Sequence, residues 1–263
     1  MTAQSATVLD RIVAETREEV ERRKQDVPLE EIAERPGGDR GSRGFREALS
    51  GPGIGVIAEF KRRSPSAGTL REDPDLLAIV AAYQRGGALA LSVLTEGPNF
   101  GGSLEDLRAA RVACELPILR KDFLVDAYQL HEARMAGADA VLLIVAALAP
   151  EELGGLHEEA RAIGLEVLVE VHDSDELEMA LSHGAEMVGI NNRDLRDFSV
   201  DVERTAQLMS RIPDGVMVVS ESGIASAEQL KTLRLAGVQA VLVGESLMRS
   251  PDPEAALRAL QPS

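Results

Sequence analysis

The stretch Gly55-Val-Ile-Ala-Glu59-Phe-Lys61-Arg-Arg-Ser64-Pro65-Ser-Ala-Gly68 decides how this chain folds. An apolar run enters it, and two opposite charges stand at the far end of that run, two residues apart. Side chains alternate faces along a strand, so Glu59 and Lys61 point the same way, with Ile57 one step below them. A strand that reads as buried thus delivers a carboxylate and an ammonium to one interior surface. Burying charge is costly unless it is paired or functional, so this pair calls for a reason.

Outward from that strand, short β-type runs alternate with helical patterns. The strands are expected at 55–61, 88–95, 117–123, 140–145, 166–171, 187–192, 216–222 and 240–246. Amphipathic stretches lie between them, at 74–85, 104–113, 126–136, 150–163, 174–184, 202–210 and 226–236, and 253–260 closes the chain. Gly86-Gly-Ala88, Gly137-Ala-Asp139, Gly184-Ala-Glu186 and Gly237-Val-Gln239 end helices in the same way. A glycine there takes the left-handed conformation that stops a helix before the next strand. Eight βα units with near-continuously apolar strands favour an α/β architecture closed as a (βα)8 TIM barrel over an open sheet. Before the barrel, 6–24 reads as a helix with Val8, Leu9, Ile12, Val13 and Val20 on one stripe. A connector at 36–44 and a short helix at 45–49 follow. The expectation is one domain over 1–263, with a helical N-terminal extension at 1–50 and the barrel at 54–263. The extension holds too little apolar material for a core of its own.

The 263 residues suit a single barrel of this class. A net charge of -16 argues against nucleic acid or an anionic membrane as partner, but not against a small anion held by a local basic cluster. One cysteine, Cys114, gives no intrachain disulfide framework and points to a reducing compartment. The first residues lack the basic end and apolar core of a signal peptide. No apolar run approaches the roughly 18 residues of a membrane span. A cytoplasmic protein is expected.

In such a barrel, functional groups stand at the C-terminal strand ends. Polar residues fall there on five strands: Glu59 and Lys61, Lys121, Glu170, Asn191, Glu221 and Ser222. Any one of them is most simply a solvated strand-end charge. The repetition at one end of five strands is what singles them out. Ser220-Glu221-Ser222-Gly223-Ile224 and Val243-Gly244-Glu245-Ser246-Leu247 end the last two strands, where small residues let backbone N–H groups approach a phosphate. The four histidines show no zinc-ligand spacing, so no metal is expected. His131 and His157 read as surface or interhelical. His172 is placed on the strand face opposite Glu170 and carries no assigned role. Cys114 reads as packing, and Ser222 and Ser246 lack a histidine partner for acyl transfer.

Taken together, IAEFKRRSPSAG (57–68), SVLTE (92–96), FGGS (100–103), LRKDF (119–123), VLLIV (141–145), LVEVH (168–172), GINNRDL (189–195), SESGI (220–224) and VGESLMR (243–249) resemble one family, indole-3-glycerol phosphate synthase. These segments cover every barrel strand in the correct order. The resemblance implies a lyase of tryptophan biosynthesis acting on 1-(2-carboxyphenylamino)-1-deoxyribulose 5-phosphate, with no cofactor and no metal. By motif position, Lys121 resembles the general acid of ring closure and Lys61 the lysine that holds the substrate carboxylate. Glu170 and Glu59 resemble the acid/base carboxylates, while Asn191 and Glu221 resemble substrate-orienting groups. Ser64, Arg193, Ser222, Gly223, Gly244 and Glu245 resemble the phosphate side. Phe100, Phe123, Leu142 and Leu195 resemble the apolar walls around the anthranilate ring. The Glu245 carboxylate is expected to turn from phosphate towards Arg249, leaving its N–H to bind. The expected partner is the phosphorylated small molecule, bound by a monomer open to weak association with other tryptophan-pathway enzymes.

Two alternatives stand beside this one. A phosphoribosylanthranilate isomerase would call for a catalytic Cys and Asp at strand ends, where Cys114 does not fall. A catalytically silent ligand-binding barrel gains nothing from crowding three carboxylates and two lysines at its mouth.

Overall fold

The structure is a computed structural model, and it describes residues 7–34, 42–194 and 198–261. Eight parallel strands close on themselves: β1 (Gly55–Phe60), β2 (Ala90–Leu94), β3 (Ile118–Lys121), β4 (Ala140–Ile144), β5 (Glu166–Val171), β6 (Met187–Asn191), β7 (Met217–Glu221) and β8 (Ala240–Val243). The closure is the β1–β8 pairing, in which Gly55 lies beside Ala240 and Ala58 beside Val243. A closed parallel barrel leaves no sheet edge exposed, and its interior is filled by side chains of alternate strand positions. Ile57, Leu119, Leu168 and Val219 are fully buried and share parity with the polar ends of their strands, and Leu142 is fully buried beneath Ile144. Filled layers below therefore force the charged groups up to the mouth.

Most strands are shorter than the sequence pattern implies. β1 ends at Phe60, so Lys61 stands just past it, and β8 gives way at once to a helix, α11 (Glu245–Arg249), where the pattern reads as continuing strand. The outer helices follow the expected order, from α4 (Leu76–Gly86) to α12 (Pro253–Leu260). Side chains that favour N-caps start several of them: Asp75, Ser103, Asp126, Asp173, Ser226 and Asp252 each accept a backbone N–H of the first turn. Gly87, Gly137, Gly184 and Gly237 all have positive φ, as the helix-ending reading requires.

The extension contributes α1 (Val8–Asp26), α2 (Leu29–Glu34) and α3 (Phe45–Leu49). Leu9, Ile12, Phe45 and Leu49 join the same apolar cluster as the barrel wall. Val20 and Ile32 pack with Tyr128 of α6 (Ala127–Ala136) in a small second cluster. Arg23 of α1 grips Glu132 of α6 with contacts of 2.7 and 2.8 Å. α2 went unanticipated by the sequence reading. Most of the expected 36–44 connector lies outside the described residues.

Candidate active site

Each barrel strand contributes to one cavity of about 440 Å³ at the C-terminal mouth, with Leu142 and Leu242 in its apolar wall. Glu59 and Lys61 line it, as do Lys121, Glu170, Asn191 and Glu221. The strand-end groups therefore converge on one place.

Their contacts form two lysine–carboxylate pairs. Lys121 Nζ lies 3.1 Å from Glu170 Oε2 and 3.7 Å from Glu221 Oε2. Lys61 pairs with Glu59. Asn191 Nδ2 donates to Glu170 Oε1 at 3.0 Å, fixing the carboxylate from the neighbouring strand. Two glycines make room for this crowding. A Cβ on Gly189 would overlap Glu221 Oε1, and one on Gly244 would overlap Glu59 Oε1.

Environment sets these groups apart. Burial works against the Lys121 charge, but Glu170, Glu221 and Glu59 outweigh it and hold the ammonium above the ordinary lysine range. Burial likewise opposes the Glu170 charge, yet Lys121, His172 and Asn191 hold that carboxyl well below the usual range. Glu221 goes the other way. Its burial, reinforced by the negative Glu170 and Glu59, pushes it up to about 8 against the pull of Lys121. Two carboxyl groups flanking one lysine thus differ in protonation, an arrangement that separates a proton donor from an acceptor.

The rest of the lining divides into an apolar side and a small-residue side. Phe100 and Phe123 face each other across 6.2 Å at a 41° tilt. Glu96 holds the loop that carries Phe100 by accepting the N–H groups of Asn99 and Phe100, both at 2.8 Å. Opposite lie Ser64, Ser222, Gly223, Gly244 and Glu245, with Arg193. Ser222 and Gly223 both have positive φ, uncommon for a serine, and Asn192 Nδ2 secures the bend by donating to the Ser222 carbonyl at 3.1 Å. Gly223 cannot be replaced without strain, because a Cβ there would also press on Val200 and Val202. Glu245 reaches Arg249 at 3.2 Å and Arg193 at 3.8 Å. Its carboxylate is thus held to one side by two guanidinium groups.

Leu195, expected in the apolar wall, lies outside the described residues. Phe198 and Arg249 line the cavity without having been placed among the site residues, and Phe198 carries a positive φ. No periodic signal marks Phe198, since it sits in a loop. His172 requires a correction. It is two residues beyond Glu170, so the alternation of a strand puts both on one face, and its Nε2 lies 3.4 Å from Glu170 Oε1. His131 and His157 are buried, and His131 of α6 pairs with Glu159 of α7 (Pro150–Ala162) at 3.1 Å. Among the described residues no group of three or more His, Cys, Asp or Glu side chains is arranged to hold a metal ion. No described helix is long and apolar enough to cross a membrane.

A closed (βα)8 barrel with lysines and carboxylates of unequal protonation around one apolar-walled cavity defines an acid–base enzyme of the barrel class. Solved structures agree on the fold. A 3-hexulose-6-phosphate synthase from Salmonella typhimurium superposes with a TM-score of 0.64 at 15% identity, covering 79% of this chain and 96% of that one. A mutant tryptophan synthase α-subunit from Pyrococcus furiosus gives 0.61 at 16%, covering 78% and 97%. The family is set by sequence. The family model for indole-3-glycerol phosphate synthase matches residues 9–260. Indole-3-glycerol phosphate synthase 2 of Streptomyces coelicolor is 49% identical over 253 residues, covering 96% of this chain and 98% of the relative. The indole-3-glycerol phosphate synthase of Micrococcus luteus is 46% identical over 260 residues, covering 97% of each. The chain belongs to the indole-3-glycerol phosphate synthase family.

Proposed function

We propose that this barrel converts 1-(2-carboxyphenylamino)-1-deoxyribulose 5-phosphate into indole-3-glycerol phosphate, carbon dioxide and water, as a carboxy-lyase of tryptophan biosynthesis. The observation that carries the reading is the pairing of Lys121 with Glu170 and of Lys61 with Glu59 around one cavity. The reaction has two demanding proton steps, and each pair suits one.

In the first step the ring carbon bearing the carboxylate attacks the ribulose carbonyl carbon. The carbonyl oxygen gains negative charge, and Lys121, kept protonated by its three carboxylates, gives it a proton. Loss of carbon dioxide returns the bonding electrons to the ring. In the second step the new hydroxyl leaves as water and a proton departs from the adjacent CH2 carbon, which lies between it and the nitrogen, closing the indole double bond. Glu59 and Lys61 stand together for that exchange, with Lys61 also placed to hold the substrate carboxylate beforehand. Glu170 resets Lys121, while Asn191 and Glu221 orient the pair and the substrate hydroxyls.

Phe100, Phe123 and Leu142 offer the flat, apolar wall that an anthranilate ring needs. The phosphate is assigned to Ser64, Arg193 and the backbone N–H groups of Ser222, Gly223, Gly244 and Glu245. Arg193 and Arg249 already hold a carboxylate, that of Glu245, so their surroundings accept negative charge. Leu195 is retained in the apolar wall on the family resemblance alone. We assign the chain to the cytoplasm, as an enzyme of small-molecule biosynthesis with one buried cysteine. We take the chain to act as a monomer, since each of its barrel strands supplies a residue to the cavity.

Turnover is the test. The purified chain alone, given the substrate, should produce the fluorescence of an indole with one carbon dioxide released per molecule. Substrate consumed without indole, or isomerised without loss of carbon dioxide, would reject the assignment.

A further inference from the structure

His172 follows β5 and does not line the cavity, yet its ring touches the catalytic cluster from behind. It is buried, with 8% of its side chain exposed. Nδ1 lies 3.0 Å from Glu176 Oε2, the same oxygen that accepts the His172 backbone N–H at 2.8 Å. Nε2 lies 3.4 Å from Glu170 Oε1, an ion-pair distance slightly beyond a formed hydrogen bond. A neutral imidazole has one N–H and one lone pair, so between two carboxylates it would turn the lone pair on one of them. Only the imidazolium satisfies both sides.

We infer that His172 is a positioning residue for the proposed ring closure, an imidazolium that bridges Glu176 to Glu170 and keeps Glu170 ionised with Oε2 turned to Lys121. The inference rests on the reading of Glu170 as an acid/base group given above.

The groups around the ring come from several elements. Glu170 is on its own strand, and Glu176 is in the first turn of α8 (Ser174–Ser182). Asn191 of β6 shares Glu170 Oε1 with the ring, and Lys121 of β3 occupies Oε2. Glu221 of β7 stands beyond Lys121. Asp173 is turned away, accepting the N–H groups of Asp175 and Glu176 as the cap of α8. Burial opposes the charge on His172, but Glu170 and Glu176 outweigh it and push the ring up to about 10.

Glu170 is thereby clamped on both oxygens by cations, Lys121 inside the cavity and His172 outside it. When Lys121 gives its proton away during ring closure, Glu170 would otherwise lose its cationic partner inside the cavity. His172 supplies that charge throughout the step, without touching substrate.

Nitrogen-15 NMR of the full chain, free of substrate, tests the charge directly. The His172 signals, identified by their loss in His172→Gln, should show both ring nitrogens protonated from pH 6 to above pH 8. A ring that is neutral at pH 7 would overturn the inference, whatever the enzyme turns out to catalyse. Activity supplies the second arm. In His172→Gln and in Glu176→Gln, kcat should fall about tenfold and the acidic limb of the kcat/KM profile should move up by about one pH unit, with KM little changed. Glu176 is at the partly exposed start of a helix, so its variant serves if His172→Gln does not fold. Profiles that superimpose on wild type after scaling would mean packing alone, and the inference would fall.

Discussion

The two ends of this barrel use the same residue types to opposite ends. At the N-terminal face, Asp139 accepts the backbone N–H groups of Arg43 and Ile118, each at 2.8 Å, and the Arg111 guanidinium at 2.7 Å. Glu166 binds the backbone N–H groups of Phe45 and Arg46, at 2.5 and 3.0 Å, and so fastens α3 under the barrel. Arg43 in turn donates to the carbonyls of Cys114 and Leu116. These charges are engaged by the fold itself. At the mouth, Glu221 Oε1 and Ser246 Oγ are as deeply buried but have no hydrogen-bond partner among the described residues, and Glu170 and Glu221 are driven to opposite protonation states. Buried charge is therefore no sign of function by itself. The sign is buried charge whose bonding capacity the chain leaves open.

Breaking an anchor at the lower end should cost stability and spare chemistry. Asp139→Ala strands one guanidinium and two backbone donors, so it should lose about 3 kcal/mol in a denaturant titration while kcat stays near wild type at low temperature. A large fall in kcat from a folded Asp139→Ala would erase the division between the two ends. Gly189→Ala probes the upper end, since its methyl displaces the Glu221 carboxylate from Lys121. We expect kcat to fall about tenfold, with a stability loss of about 1 kcal/mol from overpacking. Unchanged kinetics would show that the Glu221 position is not critical.

The smallest effect concerns pH and stability. Glu221 is raised in the folded chain above its unfolded value, so the stability it contributes is present below about pH 4.5 and is lost as pH rises through about 8. Replacing it with Gln should remove part of the wild-type decline over that window, read as the difference between the two melting curves. Glu170 has the reverse sign, its contribution being present above its unfolded value and lost on acidification. A difference curve flat between pH 5 and 9 would contradict the protonation assigned to Glu221.

Much of the upper end was legible in the sequence because period-two alternation works one strand at a time. Ile57 beneath Glu59, and Leu168 beneath Glu170, need no knowledge of the fold beyond the strand itself. The same rule places His172 with Glu170, so the face expected for it was a misreading of a signal that was present. Its second partner was harder to find, because Glu176 reaches back only once Asp173 has capped α8. The lower anchors were not legible. Asp139 and Glu166 stand where strands begin with no local pattern to mark a role, and their partners on Arg43 and α3 lie about a hundred residues away. α11 was missed because Ala-Val-Leu-Val-Gly-Glu-Ser-Leu-Met continues an apolar run, and the closing barrel, not local propensity, turns the chain into a helix at Glu245.

The mouth's claim to the chemistry rests on Lys121 more than on any other side chain. Its replacement by methionine keeps the length and burial of the side chain and removes the proton. Rapid mixing of Lys121→Met with saturating substrate, followed by indole fluorescence, should show formation slowed by about 10²-fold or more with the melting temperature held or raised. Indole formation near the wild-type rate in that variant would contradict the account.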